Sequence, residues 1–155
     1  MIESEICVAT FLTAWRAITW SERVLFVEAW LLLVSATLIC KLVPFQRIYK
    51  VAGQSAASVP NSAATHEIAQ IRQAIDRATA SVPRTTCLTR GLAAAVLLRF
   101  TGLPYRLAIG VRKGTEGAFS AHAWVLSGEN IVTGNLPDLP SYTPLPIDAA
   151  IPPLR

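Results

Sequence analysis

Charged side chains are scarce in this sequence. Only 15% of its 155 residues are Asp, Glu, Lys or Arg, whereas 52% are hydrophobic. The net charge is +4 and the basic residues are scattered without a run, which disfavours nucleic-acid binding. A chain this apolar has more nonpolar surface to cover than an average soluble domain. We therefore expect partner proteins or a membrane to cover part of it.

Cysteine and histidine are also rare. The three cysteines, Cys7, Cys40 and Cys87, form no CxxC pair, and an odd number of thiols makes a poor disulfide framework. With only two histidines, His66 and His122, the chain lacks the clustered ligands of a structural zinc site. The sequence therefore predicts a protein of the reducing cytoplasm, with no metal and no cofactor.

A secretory signal and a long uninterrupted hydrophobic run are not recognisable either. The chain opens with Glu3 and Glu5 instead of the basic region that precedes the apolar part of a signal peptide. The apolar run at residues 24–40 contains Glu28, and its uninterrupted part has about 12 residues, whereas a spanning helix needs about 20. We expect a buried or interfacial helix there. Association with a membrane through residues 24–40 is the alternative.

Capping patterns and proline residues predict where the helices begin and end. Thr19 and Glu22 form a capping-box pattern in front of an apolar helix at about residues 20–42, and Pro44 ends that helix. A second helix over about residues 63–80 carries isoleucines at spacings of three and four on one face.

These signals predict three parts. The first is a helical lead-in that packs on the core or on a partner, the second is a catalytic core, and the third is a proline-rich tail. Their bounds are residues 1–52, residues 63–145 and residues 146–155.

Cys87 and His122 are the candidate catalytic residues. Cys87 begins an apolar stretch at residues 87–100, which predicts a buried helix with the thiol in its first turn. His122 lies in an alternating run at residues 121–126, which predicts a strand entering a hairpin. The unpaired amides of a helix N-terminus and a nearby imidazolium both stabilise a thiolate nucleophile. Taken alone, a cysteine or histidine in such a setting is more often a packed core side chain.

The imidazole of such a pair needs a third group to fix its tautomer and orientation. If the hairpin turn is Gly128-Glu129, the antiparallel register places His122 opposite Asn135. If the turn lies one residue earlier, Thr133 faces His122 instead. Asn135 is therefore the first candidate, and Asp138 is the second if the following coil folds back.

Four segments of the sequence follow one another around the two candidate residues. They are CLTRGLA (87–93), LLRFTGLP (97–104), LAIGVRK (107–113) and AHAWV (121–125). These segments resemble the transglutaminase-like proteases of lasso-peptide biosynthesis, the B proteins that remove the leader peptide. The resemblance covers roughly residues 20–145.

The resemblance implies an α+β fold of the transglutaminase or papain type, in which a Cys-bearing helix packs on a small antiparallel sheet that bears His. It implies a cysteine peptidase that cuts a ribosomal precursor between leader and core, with Cys87 as nucleophile and His122 as base. A separate cyclase would then close the macrolactam. Family members often carry an aspartate about twelve residues after the histidine, and here that position is Gly134.

The sequence also suggests a separate partner protein and two competing functions. It is too short for the leader-recognition domain that some members fuse at their N-terminus, so a separate leader-binding protein is the expected partner. A scaffold of the same fold without chemistry, bound to a membrane or a partner, is the competing hypothesis. Acyl transfer to an amine instead of water would use the same site.

Overall fold

The computed structural model describes residues 19–44, 47–48, 62–114 and 118–145. Within these ranges the chain forms three α-helices and one four-stranded antiparallel sheet, which confirms the predicted α+β class. The helices are α1 (Trp20–Leu42), α2 (Ser62–Ser81) and α3 (Cys87–Phe100). The strands are β1 (Arg106–Lys113), β2 (Phe119–Ser127), β3 (Asn130–Thr133) and β4 (Thr143–Pro144). The predicted tail at residues 146–155, part of the predicted lead-in and Cys7 lie outside the described residues.

The start of α1 is set by the predicted capping box. The backbone N–H of Thr19 donates to the Glu22 carboxylate at 2.9 Å, and the Glu22 N–H donates to the Thr19 hydroxyl at 3.4 Å. Hydrogen bonds from Thr19, and to a lesser degree the charge of Arg77, lower the pKa of the Glu22 carboxyl. The helix ends at Leu42, two residues before Pro44, as the sequence predicts.

Helix α3 lies at the centre of the core, with the other two helices and the sheet packed around it. Alanines 93–95 and the leucines that follow are almost completely buried, and the helix contacts α1, α2 and three strands. Small side chains at these positions let neighbouring backbones approach closely. Helix α1 joins the same core through Ala29, Leu33 and Ala36. Helix α1 therefore packs on α2 and α3.

The strand order in the sheet is β3-β2-β1-β4. Leu107 and Val125 belong to the helix-side core, whereas Ala108 and Trp124 form a second cluster with Tyr142. The sequence predicted extended coil after β3. Instead, a 3₁₀ turn at Leu139–Ser141 and the short strand β4 bring Tyr142 against the sheet, because β1 still has an unpaired edge at Gly110 and Val111.

Leu33→Ala should lower the free energy of unfolding by about 2–5 kcal/mol, because Leu33 is 0% exposed and its truncation leaves a cavity between α1 and the other helices. Urea unfolding followed by circular dichroism measures the loss. Phe100→Ala is the control: Phe100 is 79% exposed, so the change should be within about 0.5 kcal/mol. Equal effects of the two substitutions would show that α1 is not part of the cooperative core.

Candidate active site

A pair of threonines positions Cys87 at the first residue of α3. The Thr86 N–H donates to the Thr89 hydroxyl at 2.8 Å, and the Thr89 N–H donates to the Thr86 hydroxyl at 3.2 Å. This capping box holds Thr86 in an extended conformation and begins the helix at the next residue. Cys87 is half-buried. Its thiol thus lies at the positive end of the helix dipole, where an anion is stabilised.

His122 is oriented by a main-chain carbonyl. Its Nε2 lies 2.8 Å from the carbonyl oxygen of Gly134. A carbonyl oxygen only accepts, so Nε2 carries the proton and Nδ1 of a neutral ring is left as the acceptor. A neutral peptide group therefore fixes the tautomer of His122.

Only glycine fits at position 134 with this backbone. Its φ is +81°, and an added Cβ would lie 2.5 Å from the Ala123 carbonyl oxygen and 2.8 Å from Trp124 Cα. The close approach of the chain to β2 is what delivers the carbonyl to His122. A side-chain carboxylate cannot be placed at this position without moving the backbone.

Two aromatic rings flank the imidazole. The Trp124 ring stacks on it with centroids 6.3 Å apart and an interplanar angle of 15°, and the Tyr142 ring is tilted at 5.6 Å. The Tyr142 hydroxyl is 3.2 Å from the hydroxyl of Ser120, and the Arg112 guanidinium lies 4.9 Å from the centre of the tyrosine ring. These contacts restrict rotation of the His122 ring, which projects from β2 beside Gly134 and Tyr142.

The structure brings three of the four sequence-predicted site residues to one cavity. Cys87, His122 and Asn135 all line a cavity of about 330 Å³ beside the N-terminus of α3. Asp138 does not line it and forms an ion pair with Arg112 instead. The cavity is thus bounded by the thiol, the imidazole and the chain that leaves β3.

The hairpin explains why Asn135 is not directly opposite His122. Its turn is Gly128-Glu129, with Ser127 paired to Asn130, as the first of the two predicted registers requires. A bulge between Val125 and Leu126 then shifts the register by one residue, and β3 ends at Thr133. The predicted pairing of His122 with Asn135 is therefore absent from the ladder, and the Gly134 carbonyl reaches the imidazole.

Sequence reasoning missed the charged wall of the cavity. Arg72 and Asp76 from α2 and Arg90 from α3 line it together. The Arg90 guanidinium binds the Asp76 carboxylate at 2.8 Å, and Arg72 donates to the main-chain carbonyl of Ile131. The spacing of four residues places Arg72 and Asp76 on one face of α2, but nothing local indicates that this face meets β3.

Residues 30–146 match the transglutaminase-like superfamily. The match covers most of the chain and begins inside α1. The protein therefore belongs to the transglutaminase-like superfamily, whose members include cysteine peptidases and transglutaminases. No curated protein and no solved structure matches the chain significantly. In the described ranges, no group of three His, Cys, Asp or Glu side chains could hold a metal ion.

The bond to Gly134 predicts the tautomer of His122. In a Cys87→Ala, His66→Gln protein labelled with ¹⁵N-histidine, the neutral ring should be protonated at Nε2, because that atom donates to the carbonyl. Two-bond ¹H–¹⁵N correlation spectra of the neutral ring distinguish the two nitrogens. Asn135→Ala and Asp138→Asn should leave the pattern unchanged. A proton on Nδ1, or a change of tautomer in either variant, would contradict orientation by the carbonyl.

Proposed function

We propose that the protein is a cysteine peptidase in which Cys87 is the nucleophile and His122 is the general base and acid. The observation that carries the proposal is that both side chains line one cavity in a chain of the transglutaminase-like superfamily. Either residue alone has an ordinary role in a core. A thiol at a helix start and an imidazole with a fixed tautomer that line the same cavity support a proposal of covalent acyl chemistry.

The chemistry follows from the position of each group. His122 takes the thiol proton on Nδ1, and the thiolate of Cys87 attacks the scissile carbonyl. The N-terminal amides of α3 stabilise the oxyanion that forms. His122 then returns the proton to the leaving amine, and an acyl-enzyme remains. Attack by water, with His122 again as base, frees the acid and restores the thiol.

The group that orients His122 has one main-chain candidate and two side-chain candidates. The main-chain carbonyl of Gly134 already accepts from Nε2 of His122. Asn135 stays a candidate because its side chain borders the cavity and an amide can orient an imidazole, as in papain-like enzymes. Asp138 stays a weaker candidate, because its carboxylate pairs with Arg112 and would have to leave that partner.

The proposed substrate is the precursor of a lasso peptide, and the proposed reaction is removal of its leader. This rests on the four sequence segments that resemble B proteins of lasso-peptide biosynthesis, two of which contain Cys87 and His122. The proposed partners are a separate leader-binding protein, which would present the precursor, and a cyclase that uses the freed core amine. Such a pathway would operate in the cytoplasm, with the apolar helix α1 as a possible contact to a membrane or a partner.

Cys87→Ala and His122→Ala should each lower core-peptide release by at least about a thousandfold, because the covalent route needs both groups. Purified protein, precursor and leader-binding protein are combined, and the products are followed by mass spectrometry. Cys40→Ala should retain activity. The melting temperatures of all three variants should stay near that of the wild type.

Undiminished release by the Cys87→Ala protein would refute the proposal. The product mass separates the two reactions that the site could perform. Hydrolysis adds water to the leader fragment, whereas acyl transfer attaches an amine. A product that carries an amine would assign the transferase activity instead.

A non-catalytic scaffold is the second candidate, and the exposed apolar side chains of α1 favour it. The two hypotheses differ in the reactivity of the thiols. If Cys87 is the nucleophile, iodoacetamide at neutral pH should label it at least about tenfold faster than Cys40. Burial raises the pKa of the Cys40 thiol and so lowers its thiolate fraction. Peptide mapping over time measures both rates, and equal labelling would favour the scaffold.

A further inference from the structure

The charged wall of the cavity that holds Cys87 and His122 has more positive than negative groups. Arg72 and Asp76 come from α2, and Arg90 comes from α3. Among the described residues that line the cavity, Asp76 is the one acidic side chain. Two guanidinium groups against one carboxylate leave the wall with a net charge of +1. The wall therefore favours an anion over a cation of the same shape.

The pairing within the wall leaves Arg72 without a carboxylate. The Arg90 guanidinium binds the Asp76 carboxylate at 2.8 Å, so these two charges offset each other. Arg72 donates instead to the main-chain carbonyl of Ile131, which is a neutral acceptor. None of the ion pairs among the described residues involves Arg72. A guanidinium carries several N–H donors, so Arg72 retains both its charge and donors for another acceptor.

The hydrogen bond to Ile131 fixes where that charge lies. Ile131 belongs to β3, and the chain that leaves β3 continues to Gly134, whose carbonyl orients His122. The Arg72 side chain thus reaches from α2 to the strand that leads directly to the imidazole. Arg72 is exposed, so a peptide that enters the cavity from solvent can meet it.

Two further polar atoms of the lining have no hydrogen-bond partner. They are Nε of Arg90 and Oγ1 of Thr133, and both are buried. The guanidinium N–H only donates, and the hydroxyl can donate. A buried donor without an acceptor is unfavourable. Around this cavity the described residues therefore leave donors unused, and a ligand that brings acceptor atoms would complement them.

We propose that the charged wall is a subsite for a carboxylate side chain, Asp or Glu, that lies close to the scissile bond of the substrate, and that Arg72 selects it. This inference rests on the proposed peptidase function and adds the chemical class of one substrate side chain. A carboxylate carries a single negative charge, which matches the net charge of the wall, whereas a phosphate carries about two. The planar fork of a guanidinium also fits the two oxygens of a carboxylate.

Alkylation of Cys87 tests the charge without a substrate. Iodoacetate is an anion and iodoacetamide is its neutral analogue, and in both the thiolate displaces iodide. The ratio of the two rates therefore cancels any change in the pKa of the thiol. Arg72→Gln should lower the iodoacetate-to-iodoacetamide ratio at Cys87 about threefold, the size expected for one partly exposed charge pair. Arg72→Lys should keep most of the ratio because it keeps the charge. Peptide mapping over time measures both rates.

Arg99→Gln is the matched control, because it removes the same charge from an exposed arginine in the last turn of α3. That residue lies about 18 Å along the helix from Cys87, beyond the Debye length of about 8 Å. Circular dichroism checks that each variant is folded. An unchanged ratio in Arg72→Gln, an equal loss in Arg99→Gln, or an equal loss in Arg72→Lys would overturn the subsite. Slow labelling of Cys87 by iodoacetamide would count against the peptidase, and the ratio would still be measurable.

Cleavage of substituted precursors tests the selectivity. The residues on either side of the scissile bond are replaced in turn by Glu, Gln and Lys in the peptidase assay. At one of these positions the Glu peptide should exceed the Gln peptide about threefold in kcat/KM, and the Lys peptide should be the poorest. Arg72→Glu should reverse the order of Glu and Lys at that position. Efficient cleavage with no preference for Glu at any position would overturn the subsite and leave the peptidase function intact.

Discussion

Burial of α3 is the constraint on which the rest of the structure depends. Nearly every side of this helix is covered, by α1 and α2 on one side and by the sheet on the other. A helix held on all sides cannot slide or rotate without opening the core. Its first residue is therefore a fixed point, and the threonine capping box makes that residue Cys87. The Cys87 thiol thus takes a defined position at the helix terminus from the packing of α3.

The orientation of His122 depends on main-chain geometry more than on a charged neighbour. A bulge in the hairpin, a glycine with positive φ and a close contact with β2 together bring one carbonyl oxygen to Nε2. A neutral acceptor fixes the tautomer but adds no formal negative charge to stabilise an imidazolium. Trp124 and Tyr142 supply the remaining restraint by packing on the ring. Residues 134–145 thus contribute to the candidate site, because they carry Tyr142 to the outer face of the sheet.

Helix α1 explains much of the apolar composition of the chain. One face completes the core through Leu33 and its neighbours, and the other exposes large apolar side chains such as Leu31 and Leu38. Two apolar faces on one helix account for its weak amphipathicity and for a hydropathy that also suits a membrane span. The superfamily match begins at residue 30, within this helix. The packed face and the outward face belong to one continuous element.

Features that depend on neighbours in the sequence were predictable from it. The helices from Trp20 to Leu42 and from Cys87 to Phe100 have the predicted bounds, because capping side chains and prolines act within a few residues. The turn at Gly128 follows from the same local chemistry. Only the tertiary structure decided three other features. They are the bulge that brings the Gly134 carbonyl to His122 in place of Asn135, the return of Tyr142 to the sheet, and the placement of Arg72, Asp76 and Arg90 around one cavity. Arg72 contacts Ile131, 59 residues away, and Tyr142 contacts Ser120, 22 residues away. The bulge lies within one hairpin, and its geometry depends on how β2 and β3 pair.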